Sequence, residues 1–508
     1  MIGAGQILPE SARRFGAKTA LRANGRDLSY AELDDLSNRV AVWLAACGIA
    51  PGDRVSIYSA NRWEWIVAYH GALKAGTVVN PVNVMLTADE LRFVLGDCGS
   101  SLLFASGERL AGLDRLVADV PTLRGVVGLD DSPNATATFT DVLATPVPEG
   151  FAPHQPEPTE ASTIGYTSGT TGHPKGAVQS HQAVLLSCRA TAEMHGRTAS
   201  DVVVTALPAP HVYGNVVVNS TFLVGGTVVL MERFDPAAAL QLIDVHQATM
   251  FEGVPAMYSM MLSHPDLAAA SLHTLTRCTV GGQTIASATV AAWQAKAAAP
   301  LIELWGMTEL AGLGTTHWHD GLPVPGSIGV ALDCVELRVA DLNDPARDAA
   351  VGEPGELMAR GPLVMLEYFG NPAATAEAIE ADGWMHTGDI ASVDASGHYF
   401  VVDRRKDMII TGGYNVYPAE IERVLAGHPA VALVAVGPVP DPVKGELAKA
   451  YVVLREGVTA TEQEIVDYSR EHLAPYKRPR KVAFVLALPQ TSTGKIMRRE
   501  LINLVTPG

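Results

Sequence analysis

Through residues 30–50 (YAELDDLSNRVAVWLAACGIA) apolar positions recur at helical spacing, which predicts a helix with one buried face. Gly48 stops it, and Pro51-Gly52-Asp53 turns the chain into a strand at Arg54–Ser59. A second helix at Trp63–Ala75 closes at Gly76 and is followed by a strand at Thr77–Pro81. The alternation repeats with a helix at Thr87–Gly96 and a strand at Ser101–Ala105. Thr87 with Glu90 three residues on is a capping-box pattern and marks that helix start. The short, interrupted apolar runs Val202–Ala209 and Val216–Val218 read as buried strands. Helices and strands in this rhythm predict a mainly parallel sheet with helices on its faces.

From about Val335 the texture changes to shorter strands (Val335–Ala340, Gly355–Ala359) and frequent turns, a smaller and more β-rich unit. The run DRRKD at Asp403–Asp407, after a strand at Tyr399–Val402, is the principal boundary. Beyond it come a helix at Pro418–Ala426, strands at Val431–Val436 and Ala448–Leu454, and a helix at Glu462–Leu473. The expected class is α/β: a large N-terminal domain of doubly wound sheets plus a β-rich subdomain (residues 1–403), a hinge (404–407) and a small mobile α+β C-terminal domain (408–508).

Composition narrows the function. Lys plus Arg number 37 against 54 Asp plus Glu, a formal charge of −17, and a surface this acidic argues against general nucleic-acid binding. The five cysteines are far apart with no C-x-x-C pair, against a disulfide framework or a cysteine zinc site and in favour of the cytoplasm. No signal peptide is apparent, and no stretch is long enough for a transmembrane segment. Monomer and homodimer both remain open.

Tyr166–Ala177 reads YTSGTTGHPKGA. Thr167, Ser168, Thr170 and Thr171 supply hydroxyls, Gly169 and Gly172 let backbone N–H groups approach a ligand, and Lys175 adds a positive charge. Such a loop suits a polyphosphate. It is not a Walker A loop, because Pro174 precedes Lys175 and Gly176 follows it. The alternative for this stretch is a polar surface loop between two strands. His317 and His319 stand two apart with no third metal ligand nearby and read as surface or pocket-rim residues, and Met257, Met260 and Met261 read as core fillers.

The YTSGTTGHPKGA segment resembles the signature loop of the adenylate-forming superfamily of acyl-CoA synthetases, peptide-synthetase adenylation domains and beetle luciferases. The resemblance runs along nearly the whole chain in the family's motif order. It implies that Trp305 in LWGMTE lies against adenine with Gly306 and Met307, that Thr308 contacts phosphate, and that Glu309 holds Mg²⁺. Gly281, Gly282 and Gln283 match the loop that meets adenine, although the family often has a small residue where Gln283 stands. In Thr387-Gly388-Asp389, Asp389 corresponds to the ribose-binding carboxylate, and Arg404 to an arginine that also touches ribose. Lys495 in PQTSTGK is the implied catalytic lysine, an ammonium that offsets the repulsion between carboxylate and α-phosphate. Lys406 corresponds to the hinge residue. Gly412, Gly413 and Tyr414 match a loop that lines the pantetheine path in the second step. The implied activity is an ATP-, Mg²⁺- and coenzyme-A-dependent ligation of a small-molecule carboxylic acid through an acyl-adenylate.

The acid itself is less legible. Pro208–Asn215 reads PAPHVYGN; by resemblance His211 gates the pocket mouth, with Tyr213 and valines around it and Gly281, Gly306 and Gly312 leaving space. The segment has no carboxylate for an amino-acid substrate. The expected acid is a medium- or long-chain fatty acid; the alternative is a hydroxycinnamate bonded by the Tyr213 phenol. Transfer to a carrier-protein pantetheine, a luciferase-like oxygenase, and a nucleotide-binding protein without ligase activity are the rivals.

Overall fold

The computed structural model describes residues 3–504 apart from 112, 131, 133, 168–173, 412–413 and 490–495. Among the described residues two large sheets dominate. One has eight strands in the order Glu367–Tyr368, Lys175–Ser180, Ala161–Thr167, Val78–Pro81, Arg54–Tyr58, Ser100–Ala105, Val126–Gly128 and Ala137–Thr138. It is parallel except at its first two pairings. The other has seven strands in the order Leu301–Glu303, Arg277–Val280, Met250–Gly253, Val202–Thr205, Thr227–Leu230, Thr19–Ala23 and Arg26–Ser29, parallel except at the last pair.

The local signals account for many boundaries. The helix Tyr30–Ala46 starts at Ser29, whose hydroxyl accepts from Glu32 N–H while the Glu32 carboxylate accepts from Ser29 N–H. Gly48 follows it at φ +73°, a conformation that favours glycine. Thr87 and Glu90 make the same reciprocal cap for Ala88–Asp97. The helix Trp63–Lys74 is buried almost all round. Its Lys74 is therefore held by Asp34 Oδ1 at 2.6 Å, Ser37 Oγ at 2.7 Å and Asn38 Oδ1 at 2.8 Å, and burial pulls its pKa down to about 8.

Three local expectations fail here. Val216–Val218 is not a strand but the middle of the helix Val212–Val224, which caps at Gly225 in the left-handed region. Val216, Val217 and Val218 are all buried, so a continuous apolar run here reflects a helix enclosed on every side rather than a strand. The run Val202–Ala209 is a strand only to Thr205. Met261 is core, but Met260 is exposed.

The β-rich unit is an antiparallel sheet of Glu336–Ala340, Gly355–Arg360, Met385–Val393 and Tyr399–Arg404. Residues beyond 408 form a second small α+β body. Its sheet joins Tyr414–Val416, Ile409–Thr411, Gly445–Leu454, Val431–Asp441 and Lys481–Phe484, with the helices Pro418–Leu425 and Glu462–His472 on a separate core. The α/β class, with a large N-terminal part and a small C-terminal body, is thus as expected. No helix among the described residues is long and apolar enough to cross a membrane, and the five cysteines are all free.

Candidate active site

The strands Ala161–Thr167 and Lys175–Ser180 form an antiparallel hairpin with Thr167 opposite Lys175. Ser168, Gly169, Thr170, Thr171 and Gly172 lie outside the described residues, as do Gly412, Gly413 and Lys495. What the hairpin does show is its setting. The short strand Glu367–Tyr368 pairs with it, Tyr368 opposite Ala177, and so brings the Tyr368 ring beneath Lys175, with Nζ 5.1 Å from the ring centroid.

The Tyr368 hydroxyl donates to Glu309 Oε1 at 2.8 Å. Burial, then the Glu309 charge, push the phenol well above its ordinary pKa, so it stays a donor. Glu309 sits in the turn Thr308–Leu310 and is buried. That turn is fixed from two sides. Gln179 Nε2 donates to the Thr308 carbonyl at 2.8 Å, and Glu309's carbonyl accepts from Met365 N–H at 2.7 Å. Gly165 lets Thr308 approach: a Cβ at 165 would stand 2.5 Å from Thr308 Cγ2.

Three residues before Thr308, Trp305 Nε1–H donates to Asp389 Oδ2 at 2.8 Å. Asp389 Oδ1 takes the Arg404 Nε at 2.6 Å from the adjacent strand, where Asp389 and Arg404 are paired in register. Trp305, Asp389 and Arg404 are thus one unit, 2–3 Å contacts joining residues far apart in sequence. The hairpin Trp305–Met307/Gly312–Thr316 is tight. A Cβ at Gly306 would be 2.1 Å from the Gly312 carbonyl oxygen, and one at Gly314 would be 2.4 Å from the Trp305 ring. Gly281 packs on Leu304, Gly282 has φ +85°, and Gln283 is half-buried beside them. Met307 is half-buried in the same hairpin.

A cleft opens beside Thr308, lined by Gly165, Gln179, Pro208, Pro210, His211, Val212, Asn215 and Ala311, together with Tyr69 and Thr163. His211 caps the helix Val212–Val224, its Nδ1 accepting from Tyr213 N–H, and is exposed. Gly312, at φ +148°, packs where a Cβ would meet Ser187 Oγ and Val216. Tyr213 departs from expectation. Its hydroxyl shares a 2.8 Å hydrogen bond with Thr279 Oγ1, which donates in turn to Glu252 Oε2 at 2.8 Å. Glu252 is paired with Arg197 at 2.6 Å, both side chains fully buried. The phenol that was expected to meet substrate is committed to this internal network, and Tyr213 does not line the cleft.

In the C-terminal body Tyr414 is exposed and stacks on Tyr476, with ring centroids 4.8 Å apart. The charged run is held at several points. Arg405 pairs with Glu356 at 2.6 Å, while Arg498 reaches Asp403 at 3.0 Å, Asp407 at 3.1 Å and Glu422 at 2.6 Å. Lys406 between them is exposed. His317, expected at the surface or a pocket rim, is buried; its Nε2–H donates to the Ser327 carbonyl at 3.0 Å and its ring stacks near His398, and no cluster of three metal-ligating side chains occurs among the described residues.

The profile of the AMP-binding enzyme family matches residues 8–369, and that of the AMP-binding enzyme C-terminal domain matches residues 420–495. The chain belongs to the AMP-binding enzyme family. It is 36% identical to the 3-[(3aS,4S,7aS)-7a-methyl-1,5-dioxo-octahydro-1H-inden-4-yl]propanoyl:CoA ligase of Mycobacterium tuberculosis (strain ATCC 25618 / H37Rv), over 98% of each chain. It is 32% identical to a long-chain-fatty-acid–CoA ligase of Bacillus subtilis (strain 168), over 98% of this chain and 93% of that one. The crystal structure of the anthranilate CoA ligase AuaEII with anthranoyl-AMP superposes with a TM-score of 0.92 at 27% identity, over 99% of this chain and 96% of that one. This AMP-binding enzyme is an AMP-forming acid–CoA ligase that acts through an adenylate and binds ATP.

Tyr368, Gln179 and Gly165 carried no sequence signal. Each reaches the Thr308–Glu309 turn through strand pairing, Tyr368 from 59 residues away.

Proposed function

We propose that this ligase activates a monocarboxylic acid with a mainly hydrocarbon body, a medium- or long-chain aliphatic acid. In this reading ATP binds along the Trp305–Glu309 segment. Trp305, Gly281, Gly282, Gln283, Gly306 and Met307 wall the adenine, and Asp389 and Arg404 take the ribose hydroxyls. Thr167, Lys175, Thr308 and the Ser168–Gly172 loop receive the phosphates. The observation that supports it is the compactness of that segment. One strand and one turn present Trp305, bonded to Asp389, and Glu309, bonded to Tyr368, within five residues of one another.

Glu309 suits a magnesium ion. One buried carboxylate, with Oε1 fixed by Tyr368, leaves Oε2 without a protein hydrogen bond among the described residues. An ion held by one carboxylate here would take its other ligands from phosphates and water. When bound, Mg²⁺ neutralises phosphate charge.

The acid's carboxylate attacks the α-phosphate and pyrophosphate leaves; Lys495 offsets the charge of the two anions. The coenzyme A thiol then attacks the acyl carbonyl, and AMP departs with the bonding electrons. Residues 1–403 and 408–508 act as domains that pivot in 404–407 about Lys406, bringing Lys495 to the site for the first step and the Gly412–Tyr414 loop for the second. His211 gates the acid. The cleft walls Pro208, Pro210, Val212 and Ala311 favour a hydrocarbon body. A hydroxycinnamate held by the Tyr213 phenol is disfavoured by that phenol's bond to Thr279.

Lys495→Ala tests the assignment. Pyrophosphate release from ATP and acid should fall by orders of magnitude, while thioester formation from supplied acyl-adenylate is largely kept. Equal loss of both would contradict it.

A further inference from the structure

The helix Val212–Val224 presents one amide to the acyl cleft. Asn215 lies one turn beyond His211, its N–H bonded to the His211 carbonyl at 2.9 Å, so the two side chains share a face and Asn215 sits deeper than the gate. Its orientation follows from its neighbours. Asn219 Nδ2 donates to the Asn215 backbone carbonyl at 3.0 Å, which sets the Asn219 amide. The same Nδ2 donates at 2.9 Å to Asn215 Oδ1, which also accepts from the Tyr69 hydroxyl at 3.3 Å. A nitrogen at the Oδ1 position would face a donor. The oxygen of the Asn215 amide is therefore committed to the protein, and Nδ2, with no partner among the described residues, is the end left for the cleft that Asn215 lines.

Resting on the ligase reading above, we infer that Asn215 is a specificity-determining residue whose Nδ2–H₂ donates to an oxygen on the acid's body, so that the substrate is a keto- or hydroxy-substituted acid rather than a plain hydrocarbon chain. The surrounding cleft is apolar at Pro208, Pro210 and Val212, and a hydrocarbon laid against Nδ2 would leave a donor unmade. An acceptor oxygen removes that cost. A ketone offers only lone pairs; a hydroxyl offers lone pairs and a proton.

The test compares decanoic acid, oxodecanoic acids with the ketone at successive carbons, and the matching hydroxydecanoic acids at pH 8. It uses the full-length protein, Asn215→Leu and Asn215→Asp. In the unaltered protein one ketone position should exceed decanoic acid in kcat/KM by about ten-fold or more, the discrimination of one unmade neutral hydrogen bond. Asn215→Leu should erase that ratio. Asn215→Asp keeps the acceptor that Asn219 and Tyr69 use, so its fold is retained. It turns a carboxylate to the cleft, and should reject the ketone while keeping the hydroxy acid. Decanoic acid favoured over every oxo isomer, or an oxo preference that survives both substitutions, would overturn the inference. Calorimetric titration of the same acids reads the Asn215 contact without turnover. A failure of every acid to form adenylate would thus count against the ligase reading and leave the Asn215 comparison standing on binding.

Discussion

Removing one hydroxyl, in Tyr368→Phe, tests how Glu309 is prepared for its role. The ring remains, so its stacking beneath Lys175 and its strand pairing with Ala177 are kept. What is lost is a 2.8 Å hydrogen bond from a neutral phenol to a buried carboxylate. A hydrogen bond to a charged group contributes about 1.5–3 kcal/mol. Partners that orient a metal-holding carboxylate change metal affinity by about 10- to 100-fold. At about 1.4 kcal/mol per ten-fold step the two magnitudes agree. The assay is acid-dependent pyrophosphate release as a function of free Mg²⁺. The half-saturating Mg²⁺ concentration should rise by about ten-fold or more, with most of the rate recovered at high Mg²⁺. An unchanged Mg²⁺ dependence, with the rate reduced at every concentration, would refute the link from Tyr368 through Glu309 to the ion.

Glu303, on the strand that leads into Trp305, should make stability pH-dependent. Burial, opposed by the Gly326 N–H and Arg423, raises its carboxyl from 4.5 to about 7. The folded state then holds a proton that the unfolded state releases, so stability falls as pH rises from about 4.5 to about 7. The full cost, on the order of 3 kcal/mol, is present above that window. Glu303→Gln, followed by denaturant unfolding, should match the parent near pH 4.5 and exceed it increasingly up to pH 7–8; a pH-independent difference would contradict this. Gly306→Ala places a Cβ 2.1 Å from the Gly312 carbonyl oxygen and must open the hairpin. It should cost about 1–3 kcal/mol in stability and raise the KM for ATP, whereas an unaltered KM would separate this hairpin from the nucleotide. Asp389→Asn weakens the Arg404 pairing and turns either an amide or a carbonyl to Trp305. ATP binding measured by calorimetry should weaken by about ten-fold or more, and unchanged binding would remove Asp389 from the nucleotide site.

The fold was legible where the signal is local. The capping box at Thr87 and the stop at Gly48 mark elements within a residue or two of their observed ends, and the helix read from Tyr30 does start there, at a Ser29 cap that the structure adds. It was not legible at Val216–Val218, because a helix enclosed on all sides loses the polar stripe that distinguishes it from a buried strand. The resemblance assigned Trp305, Asp389 and Arg404 separately to one nucleotide; that they bond directly to one another is visible only in the structure. Tyr213 illustrates the opposite case. A phenol beside a pocket segment reads as a substrate contact, but whether it faces in or out depends on Thr279 and Glu252, which arrive from separate strands. Tyr368 and Asn215 were missed for the same reason, since a lone tyrosine after a loop and an asparagine on an apolar helix acquire meaning only from partners distant in sequence.

The most direct test of the account is pyrophosphate release from ATP and acid, with and without coenzyme A. The account predicts pyrophosphate and enzyme-bound acyl-adenylate with acid alone, followed by release of AMP and acyl-CoA in equal amounts once coenzyme A is added. Formation of ADP and phosphate, or no acyl-adenylate until coenzyme A is present, would contradict it.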